Sequence, residues 1–134
     1  MLIKVEPNKE RVNSILKMVK LTLQMVKEID YKKYPSNVTK EYYEIIRELM
    51  SVVLLLDGFK TQGEGAHKEI IDYLAQNYQE LSKNEIEIVE DLRIARNRIA
   101  YDGFFVPIDY LERNKDQLVK IIQKLNQLIE KKRG

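Results

Sequence analysis

Val12, Leu16, Val19, Leu23 and Val26 recur at alternating steps of four and three along the chain. That spacing puts all of them on one stripe of an α-helix, and a helix with an apolar stripe must bury it against another element. The same period returns further on. Tyr42, Ile45, Ile46, Leu49, Val53 and Leu56 mark a second helix, and Ile70, Ile71, Tyr73 and Leu74 a third, over about Ala66 to Gln79. Ile88 and Leu92 belong to a fourth that runs to about Tyr101. Leu118, Ile122, Leu125 and Ile129 form the stripe of a fifth, beginning near Ile108 or Asp109. No useful strand alternation and no internal repeat are present. The expected architecture is all-α, an up-and-down antiparallel bundle of about five helices, as a single domain over residues 1–134.

The segments between the stripes carry punctuation. The first helix is expected from about Asn8 to Ile29, with Met18, Leu21 and Met25 as a shorter second stripe of core or contact residues. Pro35, Ser36 and Asn37 break the pattern. Thr39 is the expected N-cap of the second helix, with Glu41 in its first turn. Val52, Leu54 and Leu55 make that helix apolar on most sides, which suits the centre of a bundle or a subunit contact. Gly58 and the loop Thr61–Gly65 close it. Ser82 and Glu85 form a capping-box pattern that starts the fourth helix, Gly103 ends it, and Phe104 to Pro107 read as a short extended connector.

Composition excludes several classes of chemistry. The chain has no Cys, which rules out disulfides and thiolate metal sites and fits a cytoplasmic protein. A single histidine, His67, rules out a histidine-based metal cluster, and no metal or cofactor is expected. Carboxylate pairs such as Glu41 with Glu44 lack the Glu-to-His spacing of diiron bundles. The longest apolar run, Val52 to Leu56, falls far short of the ~20 residues that span a bilayer, and the first residues lack the apolar stretch of a signal peptide. Gly63 and Gly65 lack the Lys-Ser or Lys-Thr of a phosphate-binding loop. Net charge is only +2, but residues 91–134 hold ten Lys or Arg against six Asp or Glu. That asymmetry permits a basic surface without demanding nucleic acid.

The fourth helix is the most informative. At about 100° per residue with Leu92 at zero, Ile88, Ala95 and Ile99 fall within about 60° and define the expected core face. Arg96 lies only about 40° from Leu92, close to the core for a side chain that is always charged. Arg93, Asn97 and Tyr101 continue round the same side. Two readings fit this mixed face. It lines a cleft or a subunit contact, or its arginines Arg93, Arg96 and Arg98 snorkel and pair with Glu90, Asp91 or Asp102.

A helix ending in Leu-Arg-x-x-Arg-Asn-x-x-x-Tyr-x-Gly, here Leu92 to Gly103, resembles the HEPN superfamily of bacteria and archaea. Asp57-Gly58-Phe59-Lys60-Thr61, followed by a helix with His67 near its start, is similar to the middle of those proteins. The resemblance covers the second to the fifth helix. It implies a bundle of four or five helices and a homodimer in which two copies of the motif face a shared cleft. It also implies metal-independent endoribonuclease activity, often as the toxin of a toxin–antitoxin pair opposite a minimal nucleotidyltransferase. The active family motif is Arg, frequently followed by Asn, then His after four to six residues. Arg96 and Asn97 match its start. Tyr101 stands where the His would come, and the wider gaps land on Asp102 and Gly103. Starting from Arg93 or Arg98 finds no His either. The tyrosine that HepT-type toxins carry two residues past the His is Gly103 here.

That departure bears on the chemistry. RNA cleavage without a metal requires a proton taken from the ribose 2′-hydroxyl and one given to the leaving 5′-oxygen, while an Arg stabilises the charge on phosphorus. Histidine suits both transfers because it titrates near neutrality, whereas a phenol of pKa about 10 is a poor base at pH 7. The expected function is therefore binding of RNA or a nucleotide, with ribonuclease activity weak or lost. Arg96 would hold a phosphate, Asn97 and Tyr101 would orient it, and Arg93 would add positive field. The alternatives are an active endoribonuclease using Tyr101 or His67, and a protein-interaction module in which Arg96 is structural.

Overall fold

The computed structural model describes residues 1–134. Five helices hold three-quarters of them: α1 (Lys9–Glu28), α2 (Pro35–Leu56), α3 (Ala66–Asn77), α4 (Lys83–Asp102) and α5 (Ile108–Arg133). The chain is the all-α helical bundle that its periodicity requires. Two strands that the sequence does not announce, β1 (Leu2–Lys4) and β2 (Phe59–Thr61), pair antiparallel with Leu2 opposite Thr61 and Lys4 opposite Phe59. Three residues are too few to display alternation, so the pairing was invisible to a period-based reading. The ribbon fixes the loop that leads into α3.

α2 is the central helix. It packs against all four others, and its buried residues run from Val38 to Leu55 over every side of the helix. One continuous core of 27 residues forms around it. Leu49, Leu92, Leu118 and Leu125 are fully buried there, each worth roughly 1.5–3 kcal/mol of transfer free energy.

Two sequence expectations need correction here. α2 begins at Pro35, not after Thr39: the proline occupies the first helical turn, where its missing N–H is no loss. Thr39 lies buried inside the helix, its hydroxyl donating to the Pro35 carbonyl at 2.7 Å, and Glu41 accordingly lies beyond the first turn. The neighbouring Ser36 Oγ instead accepts the Val106 N–H at 2.8 Å and ties the α4–α5 connector to α2. In α1, Val12, Val19 and Val26 are buried as expected, but Met18, Leu21 and Met25 are exposed. That second stripe faces away from the core.

The C-terminal ends of α2, α3 and α5 meet on one carboxylate. Asp57 Oδ2 accepts hydrogen bonds from Tyr73 OH at 2.8 Å and Tyr78 OH at 2.6 Å, while Oδ1 pairs with the Lys132 ammonium. Lys132 also donates to Tyr78 OH at 2.7 Å. Burial alone would raise the Asp57 pKa, but the bonds from Lys132, Tyr78 and Tyr73 outweigh it and hold the carboxyl below its ordinary value. α3 ends at Asn77, two residues before the expected stop.

Candidate functional site

α4 is anchored in the core over its first half and has no buried residue in its second. Ser82 and Glu85 form the expected capping box: Ser82 Oγ accepts the Glu85 N–H at 3.1 Å and Glu85 Oε1 accepts the Ser82 N–H at 2.9 Å. Glu85 Oε1 also takes a hydrogen bond from Lys124 of α5 at 2.7 Å, which lets a carboxylate sit among buried side chains. Val89 and Leu92 are buried beyond it, and after Leu92 no residue of the helix is. Ile88, Ala95 and Ile99, the expected core face, are only half-buried. The buried arc runs through Glu85, Val89 and Leu92, and Arg96 continues it. Gly103 closes the helix in the left-handed conformation at φ 65°, as expected.

The second half of α4 faces the start of α3 across a groove of about 250 Å³. Arg93, Arg96, Asn97 and Tyr101 line one side, and Gly63, Gly65, Ala66, His67 and Lys68 the other. The four α4 residues singled out in the sequence therefore share one hollow, together with the only histidine. Tyr101 stands at the rim, 78% exposed. Arg98 lies outside the groove, its guanidinium stacked 3.9 Å from the Phe104 ring.

The arginines are not equivalent. Arg93 is committed to Glu90 through two hydrogen bonds, Nε to Oε2 at 3.1 Å and Nη2 to Oε1 at 2.6 Å. For this residue the reading as a snorkelling, paired arginine describes what is found. Arg96 is different. Its side chain is 23% exposed, its Nη2 stands 3.7 Å from Glu44 Oε1, beyond hydrogen-bond reach, and its Nε has no acceptor. The other oxygen of Glu44 is taken by Arg47 Nη2 at 2.7 Å, and Arg47 also holds Glu48. The one hydrogen bond Arg96 makes is a long one, Nη1 to Asn97 Oδ1 at 3.4 Å. Its guanidinium is thus held near the core face with most of its donors unspent.

Across the groove, α3 starts from Gly65, which has φ 77° and no side chain to cap the helix. The Ala66 N–H reaches Gly63 O and the Glu69 N–H reaches Gly65 O, which leaves the N–H groups of His67 and Lys68 without a backbone acceptor. Unsatisfied amides at a helix start, with the positive end of the helix dipole behind them, attract anions. Lys68 adds a cation whose only partner, Asp72, is exposed and 3.4 Å away, a pair worth little in water.

His67 belongs to the α3 wall, with its ring 6.0 Å from that of Tyr43. Burial lowers its pKa, Arg47 adds to the effect and Glu44 opposes it, which favours the uncharged imidazole. Burial likewise pushes the Tyr43 phenol up to about 12, and its hydroxyl has no partner. No group of three or more His, Asp or Glu side chains is placed to hold a metal ion.

Sequence reasoning missed Lys68, the amides of α3 and the supporting Glu44. A legible signal for the amides existed: a glycine directly before a helix, with no Ser, Thr, Asn or Asp to cap it. Glu44 carried none, because its link to Arg96 joins residues more than fifty positions apart. The chain matches no protein-family model, no curated protein and no solved structure, and the groove's own geometry carries its interpretation.

Proposed function

We propose that the groove binds a phosphate of RNA or of a nucleotide, and that the chain is a HEPN-type protein whose ribonuclease activity is weak or lost. The observation that carries this is that Arg96, paired with Glu44 only at 3.7 Å and not hydrogen-bonded to it, lines the same hollow as His67 and Lys68, whose amides have no backbone acceptor. A phosphate between them would satisfy donors on both walls. Asn97 and Tyr101 would orient it and Arg93 would add field. Tyr101, in place of the motif histidine, supplies a hydrogen bond or a stacking surface but no neutral-pH base. The exposed Ile94, Tyr101, Phe105 and Ile108 at the same end of the molecule supply apolar surface for a second copy, so that two grooves would face one another, or for a nucleotidyltransferase antitoxin.

The test is fluorescence anisotropy of a labelled RNA with wild type and Arg96→Ala across several salt concentrations. Removing one phosphate contact should weaken binding about tenfold or more and reduce the salt slope by about one. Equal affinity and an unchanged slope would refute the proposal.

A second reading is favoured by the placement of the only histidine, His67, on the groove wall. In it His67 accepts the 2′-hydroxyl proton and the chain cuts RNA without metal. This reading requires cleavage in the presence of chelator that His67→Ala abolishes and Tyr101→Phe does not. RNA left whole by the wild type would rule it out.

A further inference from the structure

We infer that a second hollow, on the far side of His67, receives one nucleobase of the RNA strand whose phosphate occupies the groove; this rests on the phosphate-binding reading above. The hollow has a volume of about 210 Å³ and is lined by residues of α1, α2, β2 and α3. Its size is below the roughly 300–1,000 Å³ of sites for drug-sized ligands and suits a single ring system.

Its walls are graded in polarity. α2 contributes Arg47, Glu48, Ser51, Leu54 and Leu55, residues that share one helix face and pass from polar to apolar along it. Leu54, Leu55 and Ile70 are buried and form, with Ile15, an apolar floor. Ser51 and Thr61 add hydroxyl-bearing side chains to the lining. Arg11 and Lys60 stand among the lining residues, and neither has a carboxylate partner in the chain.

A lone anion would be poorly solvated by this floor. A nucleobase fits it, with apolar faces and a hydrogen-bonding edge. Continuity selects a base on a strand over a free one. Ala66 and His67 line both hollows, so a base in one and a phosphate in the other are neighbours along a single chain. The unpartnered Arg11 and Lys60 would then meet the next phosphate.

The experiment compares a labelled single-stranded oligoribonucleotide with an abasic ribose-phosphate oligomer of the same length, by anisotropy. The wild type should prefer the base-bearing oligomer by about tenfold. Ser51→Met, which fills the hollow, should remove that preference and leave abasic binding as it was, which also shows the variant folded. Thr61→Leu, on the opposite wall, gives the same reading should Ser51→Met not fold. Arg96→Ala should weaken both oligomers. Equal wild-type affinity for the two, or a preference that survives in a folded filled variant, overturns the base site while leaving the groove intact. An Arg96→Ala variant that binds both oligomers normally overturns the groove and the base site together.

Discussion

Asp57→Ala removes the acceptor on which α2, α3 and α5 converge. Three donors lose their partner at once: Tyr73 OH, Tyr78 OH and the Lys132 ammonium. Hydrogen bonds to a charged acceptor contribute about 1.5–3 kcal/mol each, and breaking a buried ion pair costs about 3–5 kcal/mol. Neither figure applies in full. The Asp57 and Lys132 side chains are 18% and 21% exposed, so water reaches the stranded groups, and Lys132 keeps its bond to Tyr78 OH. We expect a loss of about 3 kcal/mol, or roughly 12 °C in Tm for a chain of this length. Circular dichroism melts at pH 7 measure it. The pH dependence supplies a second arm. Because the folded-state carboxyl titrates below its ordinary value, its contribution is complete above about pH 5 and is lost as the pH falls through the lowered pKa. The gap between wild type and variant should therefore close in acid. A Tm within about 2 °C of wild type at pH 7, or a gap that persists unchanged at pH 2, would refute the argument that this carboxylate joins the three helices.

Glu85→Gln keeps an acceptor for the Ser82 N–H but breaks the ion pair with Lys124, and should lower stability in urea by about 1 kcal/mol at pH 7. Burial raises the Glu85 pKa while Lys124 and Ser82 lower it by more, so this difference too should vanish as the pH falls through the lowered value; a constant difference between pH 7 and pH 3 would contradict it. Leu49→Ala, at a fully buried position of α2, should lose about 3 kcal/mol by urea unfolding with an unchanged m-value. A loss under about 1 kcal/mol would mean that α2 is not the packed centre.

The helices and most of their ends were legible because local rules govern them. The steps of Val12 to Val26, the Ser82–Glu85 box and Gly103 each specify their structure within a few residues. Pro35 was ambiguous: a proline breaks a helix from within but starts one from its first turn, and it occupies the first turn of α2. On α4, the apolar count pointed toward Ala95 and Ile99 because it treats every charged residue as exposed. The real arc is turned by about half a residue, roughly 50°, toward Glu85, whose charge is answered by Lys124 of α5, and Arg96, which stands 3.7 Å from Glu44 of α2 without a hydrogen bond to it. Of the groove, the α4 wall was readable as a mixed helix face. The α3 wall was not, because its contribution is made by backbone amides, and these have no letter in a sequence.

The unequal anchoring of α4 has a consequence for how the molecule can be tuned. Fourteen residues, about 21 Å of helix, separate the bonded start at Ser82 from the guanidinium at Arg96. Val89 and Leu92 hold the first part of that rod in the core, and the Ser36–Val106 hydrogen bond ties the connector beyond its end, so the guanidinium stands between two fixed points. The width of the groove is thereby set from Leu92 and Val106 as well as from Ser82 and Lys124, so changes at those positions alter it while every residue that lines it stays the same.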